Sequence, residues 1–170
     1  SRRRHTRLRR DWSSDVCSSD LSVSSDGSYS YDPGSSTTLN ALVAGETVVD
    51  TFQYTISDGN GKTATGTVSI TVTGVNDAPT TGADTGTTPE NTALHVDVAN
   101  GLLSNDTDPD ESDVLTVSSS DSSSTKGADV SVSSDGSYSY DPGSSTTLNA
   151  LAAGETVVDT FHYTISDGNV

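Results

Sequence analysis

One stretch of this chain is written twice. Ser22–Asn60 recurs as Ser131–Asn169, and the copies differ at only two of 39 positions: Val43 becomes Ala152 and Gln53 becomes His162. The offset of 109 residues is too long for a solenoid turn, whose repeats run about 20–50 residues. It is the length of a small domain. The chain therefore reads as part of a tandem array that starts within one repeat, with its last strand missing from the second. The expected division is 22–76 for the end of a first repeat and 77–170 for a second. That second repeat is expected to lack a counterpart of Val68–Val72 and to leave a sheet edge unpaired.

Inside the repeat the hydrophobic period is two. In Thr47–Ser57, Val48, Phe52, Tyr54 and Ile56 share one face, with Asp50 interrupting it, and the residues between them are mostly polar. Thr67–Thr73 alternates in the same way, with Val68, Ile70 and Val72 directed inward. Such alternation marks half-buried strands. Thr92–Val98 and Val114–Val117 read as further strands. Asp135-Gly136, between Val130/Val132 and Tyr138/Tyr140, predicts a two-residue hairpin turn. Leu148–Ala153 is open between one helical turn and a loop. All six Tyr and both Phe fall in the duplicated segment, where alternating aromatics fill a small core. The expected fold is all-β: an antiparallel Greek-key sandwich of immunoglobulin-like type.

Residues 1–21 do not fit this pattern. Ser1–Arg10 (SRRRHTRLRR) carries six of the eight basic residues, and Asp11–Leu21 (DWSSDVCSSDL) holds the only Cys and the only Trp. The segment resembles a translated short-read sequencing adapter, with Leu8, Arg9 and Arg10 spanning a variable index. It is set aside from fold reasoning and expected to be disordered. The whole chain has a net charge of −16. Residues 22–170 have two lysines, no arginine and no cysteine against 21 acids, a net charge of −19. That excludes disulfides, a thiolate metal site and nucleic-acid binding through net charge. No apolar run approaches the roughly 20 residues of a membrane helix.

The acids are clustered. Asp106-Thr-Asp108-Pro-Asp110-Glu111-Ser-Asp113 places five carboxylates in eight residues. Ca²⁺, which takes six to eight hard oxygen ligands, relieves such repulsion; a solvated acidic turn is the other reading. The first residues mimic an EF-hand loop, but Glu111 stands where glycine is needed and Val117 where glutamate is. A second candidate is Asn76-Asp77, ahead of Pro79, at the expected boundary between repeats. Catalysis finds no support. His162 replaces Gln53 of the sister copy, His95 lies on the outer face of a strand, and no serine follows a nucleophile motif.

VSITVTGVNDAP (68–79), then Pro89-Glu90-Asn91, then Asn105-Asp106-Thr-Asp108 follow one another as in cadherin-type domains. With DGSYSYDP, LNALAAGETVVDTF and YTISDGNG, the whole of 22–170 resembles the VCBS-type, cadherin-like repeats of large bacterial surface and secreted proteins. The resemblance implies Ca²⁺ as cofactor. Asn76 and Asp77 match linker ligands, and Asp106 and Asp108 match a D-x-D pair. Glu90 matches a glutamate serving the linker at the far end of its domain, and Asp110 is an adjoining candidate, as is Asp113. Gly74 and Ala78 depart from the linker pattern and no L-D-R-E-like motif occurs, which implies one or two ions rather than three. The implied role is a calcium-stiffened spacer of an exported adhesin at the cell surface. Its partners would be neighbouring repeats, and host or matrix glycans or proteins; nucleic acid and membrane insertion are not implied. The alternative is a carbohydrate- or protein-binding sandwich accessory to a secreted enzyme.

Overall fold

The structure, a computed structural model, describes residues 20–169. The chain forms two compact units, one ending at Asn76 and the other beginning at Asp77. Both are built of short antiparallel strands, with helix limited to single turns.

In the first unit, β1 (Asp20–Val23) pairs with β2 (Tyr29–Asp32), and β3 (Thr47–Ser57) pairs with β4 (Thr63–Thr73). The β3–β4 ladder runs unbroken through eleven residue pairs, from Thr47↔Thr73 to Ser57↔Thr63. Val48, Asp50, Phe52 and Tyr54 lie on its covered face, as the alternation predicts, while Ile56 near the hairpin end is exposed. Between β2 and β3 a single helical turn, α1 (Thr37–Asn40), buries Leu39. Asp20 and Leu21, assigned by sequence to the adapter-like segment, are in strand β1. They occupy the places of Asp129 and Val130 in the second copy, so an acid and then an aliphatic residue satisfy the same ladder. The expected disorder of residues 1–19 lies outside the described residues.

In the second unit, β5 (Leu94–Val96), β8 (Tyr138–Asp141) and β7 (Asp129–Val132) form one sheet in that order, and β6 (Thr116–Ser120) pairs with β9 (Tyr163–Ser166). Leu102, Ala128, Val130 and Leu148 are its buried apolar residues. This is the all-β sandwich architecture expected. Leu148–Ala150 is one turn of 3₁₀ helix, which resolves the choice left at Leu148–Ala153.

Several local readings are corrected. The β7–β8 hairpin has a three-residue loop, because Ser133 and Ser137 still pair through the Ser133 amide (2.9 Å). Only Gly136 needs positive φ (84°), and the Gly136 amide closes a turn onto Ser133 O. This is a turn followed by a glycine bulge rather than a two-residue turn. Val98 leaves the β5 face because Asp97 caps a 3₁₀ turn at Val98–Asn100, accepting from the Asn100 amide. Val114 is exposed, and the strand there starts at Thr116. Thr156–His162 repeats the first half of β3 yet is not strand.

The polar break in the β3 face has a structural cause. Tyr31 Oη donates to Asp50 at 2.8 Å, and Tyr140 Oη donates to Asp159 at 2.7 Å in the second copy. Asp159 also accepts from Ser124 Oγ, Thr125 Oγ1 and the Lys126 amide. Burial pushes its carboxyl up, but the hydroxyl and amide donors outweigh that and hold it down at about 2. Burial and this carboxylate together push the Tyr140 phenol well above its usual range. Beside this post, Tyr138 and Phe161 meet at 5.6 Å between ring centres, as Tyr29 and Phe52 do at 5.4 Å.

Asp159→Asn is expected to cost about 1.5–3 kcal/mol at neutral pH, the scale for hydrogen bonds to a charged group. A carboxyl with a lowered pKa stabilises the fold fully above its ordinary value of 3.8 and loses that contribution as pH falls through about 2. Urea unfolding midpoints of the two proteins should therefore differ at pH 7 and converge towards pH 2.

Candidate metal centre

The segment opening the second unit and the aspartate loop are held together by main chain. Thr80 and Thr107 exchange amide hydrogen bonds of 2.8 and 3.0 Å. The Gly82 amide donates to Asp106 Oδ1 at 2.7 Å, and the Asp77 amide donates to Asp110 Oδ2 at 2.9 Å. The Asp110 amide in turn donates to Asp108 Oδ1 at 2.9 Å. Gly82 must stay glycine for this approach: a Cβ there would sit 2.5 Å from the Asn105 side chain.

Each of the three aspartates is thus fixed by one oxygen, and its other oxygen has the opposite character. Asp106 Oδ2, Asp108 Oδ2 and Asp110 Oδ1 are buried and have no hydrogen-bond partner. Asp110 is 1% exposed. A solvated acidic turn does not look like this, since an unpaired buried carboxylate oxygen is costly. A bound cation satisfies such atoms, as a proton or an ordered water also would.

A third segment completes the cluster. Asp108, Asp113 and Asp167 each bring one carboxylate oxygen to within 4.8 Å of the others. Asp167 follows β9, and its Oδ1 accepts from the Asn169 amide, while Asn169 Nδ2 donates to Asp113 Oδ2 at 2.6 Å. Burial, then the charges of Asp110, Asp108 and Asp167, push the Asp113 carboxyl up from its ordinary value. Asp108, Asp110, Asp113 and Asp167 thus form one electrostatic group. The donor set is all hard oxygen with no nitrogen or sulfur, which suits Ca²⁺ and disfavours softer transition metals.

The other candidate residues fall differently. Asn76, exposed, is the last residue of the first unit. Asp77 contributes its amide to the Asp110 tether. Glu90 precedes β5, and its Oε2 is buried without a partner, outside the Asp108–Asp113–Asp167 group. Asp167 was not singled out from sequence. It stands in a Ser-Asp-Gly turn whose twin, Asp58, caps its own loop by accepting from the Asn60 and Lys62 amides. Only the tertiary fold shows that the second copy faces other acids.

The strand-built unit with its aspartate cluster matches known families. A model described as a bacterial cadherin-like domain matches residues 76–170, and one described as a bacterial Ig domain matches residues 11–71. The chain belongs to the bacterial cadherin-like domain family. No curated relative matches it. Domains of these two kinds are typically non-catalytic structural modules of exported surface proteins. No helix among the described residues is long and apolar enough to cross a membrane.

In the ion-free protein, Asp113→Asn should raise the melting temperature by a few degrees in chelator at pH 7, because it removes one of four mutually repelling charges. Differential scanning calorimetry checks the sign; a lower melting temperature would mean that the carboxylate is stabilising without an ion.

Proposed function

We propose that this chain is a spacer segment of a large exported bacterial adhesin, and that its repeats are stiffened by Ca²⁺. One observation carries the reading: Asp106, Asp108 and Asp110 each hold one oxygen on a backbone amide while the other is buried and unpartnered. The residues present fit a hard divalent cation. Asp108, Asp113 and Asp167 would hold it, with Asp106 and Asp110 adjoining and Asp77 at the start of the same unit. The ion supplies positive charge where the chain supplies none.

Three chain segments would then be tied at one point: the start of the unit at Asp77, the 106–113 loop and the turn after β9. The sequence just before Asp77 belongs to the preceding repeat, so ordering this end of the unit restrains the neighbouring repeat as well. The partners in this reading are successive repeats of the same protein, with glycans or proteins of a host or matrix surface as the target of the whole adhesin. Near-identical copies favour a spacer over a recognition domain, which varies its loops. Export suits a chain with no thiols in residues 22–170, because extracellular Ca²⁺ is in the millimolar range that such sites use.

An ion binding only the folded state at one hundred times its dissociation constant stabilises by about 2.7 kcal/mol. Millimolar Ca²⁺ should therefore raise the melting temperature. In a chain of two whole repeats it should also narrow the distribution of interdomain distances in small-angle scattering. Asp108→Asn with Asp167→Asn should abolish both effects. No change in either quantity on adding Ca²⁺ to the unsubstituted protein would overturn the reading.

A further inference from the structure

Tyr163, on β9, donates from Oη to Asp84 Oδ2 at 2.7 Å, with Leu102 O a more distant acceptor at 3.5 Å. Asp84 lies in the segment that opens the second unit, two residues after Gly82, whose amide fixes Asp106 Oδ1. Asn105 draws the same pieces together from the loop side. Its Nδ2 donates to Ala83 O at 3.1 Å and reaches Asp84 Oδ1 at 3.4 Å. The Tyr163 hydroxyl therefore stands beside two carboxylates, Asp84 and Asp106. Burial first, then the hydrogen bond and charge of Asp84, then the charge and hydrogen-bonding reach of Asp106 push this phenol well above its usual range.

A phenol has one proton to donate. Here it goes to Asp84, which is exposed, while Asp106 Oδ2 is buried without a hydrogen-bond partner. Burial alone favours the other choice, because a buried oxygen gains more from a donor than an exposed one. The tyrosine keeps its place when another strand follows. In the first unit the equivalent Tyr54 is paired with Gly66 of β4, where a Cβ would come 2.6 Å from the ring. Glycine at that point leaves room for the side chain.

We propose that Asp84 regulates the cation site: by holding the Tyr163 hydroxyl, it keeps Asp106 Oδ2 open to a divalent cation. The inference rests on the calcium reading of the cluster, and Asp84 is not a ligand in it. Without Asp84 the hydroxyl turns to Asp106 and makes a charge-assisted hydrogen bond. An entering ion must then break that bond. Strand β9 thus carries both a hydroxyl able to close one ligand and, just past its end, the ligand Asp167.

The test is calorimetric titration with Ca²⁺, and melting in chelator, of the full chain and three variants. Asp84→Ala should weaken Ca²⁺ binding about tenfold, the scale of one hydrogen bond to a charged group. Tyr163→Phe alone should leave the affinity nearly unchanged, and Tyr163→Phe added to Asp84→Ala should restore it. Loss of the Asp84 charge by itself gives no such recovery, so a double variant as weak as Asp84→Ala overturns the proposal. In chelator Asp84→Ala should melt higher than the unsubstituted chain, because the hydroxyl then pairs a buried oxygen and one repelling charge is gone. A lower melting temperature there overturns the proposal as well. The chelator arm needs no ion: an unsubstituted chain that gives no heat with Ca²⁺ overturns the calcium reading, and the hydroxyl's choice is still decided by melting.

Discussion

Carboxylates brought within a few ångströms of one another repel, and the second unit depends on the donors that hold them there. Each aspartate of the 106–110 loop is fixed through one oxygen by a backbone amide, from Gly82, Asp110 or Asp77. Backbone amides suit this task because they carry no net charge and cannot be screened away. They orient the acids without neutralising them. The fold thus leaves the repulsion unresolved, and Asp113 beside these acids has its carboxyl pushed up by burial first and then by the charges of Asp110, Asp108 and Asp167. A loop selected only for solubility would let these side chains turn outward.

The repeat acts as an internal control on which features are local. The ring pair, the tyrosine–aspartate bond, the serine cap ahead of the buried leucine and the glycine turn appear in both units at equivalent residues. These depend on nearby sequence and survive the change of surroundings. Strand length does not survive it. Thr47–Ser57 is sheet from end to end, whereas Thr156–Ser166 is sheet for four residues. The difference is the partner: among the described residues β3 has β4 along its full length, and β9 pairs with β6. Val157 and Val158 have the side chains of a strand without a ladder to join.

That contrast also explains what could be read from the residues alone. Period-two alternation located β3, β4 and β5 because burial of one face is written into each strand. The cap at Asp97 and the glycine bulge at Gly136 escaped because they turn on which hydrogen bond closes a loop, and several closures suit the same residues. The loop at 106–113 was legible as a dense run of acids. Asp167 was not, since its local sequence matches that of Asp58, which serves its own turn.

The balance of charge supplies the last step. Residues 22–170 hold 21 acids and two lysines, and no arginine. His162 Nδ1 lies 3.2 Å from Asp121 Oδ2, both exposed, and such a pair contributes little. The apolar core cannot compensate freely, because only a handful of aliphatic side chains are fully buried. Neutral donors such as Ser124, Thr125 and Tyr140 can satisfy one isolated carboxylate, as at Asp159. They cannot serve four acids that face each other, since each hydroxyl settles one oxygen and leaves the mutual repulsion in place. Gathered carboxylates of this kind are the places where a countercharge lowers the energy of the fold most.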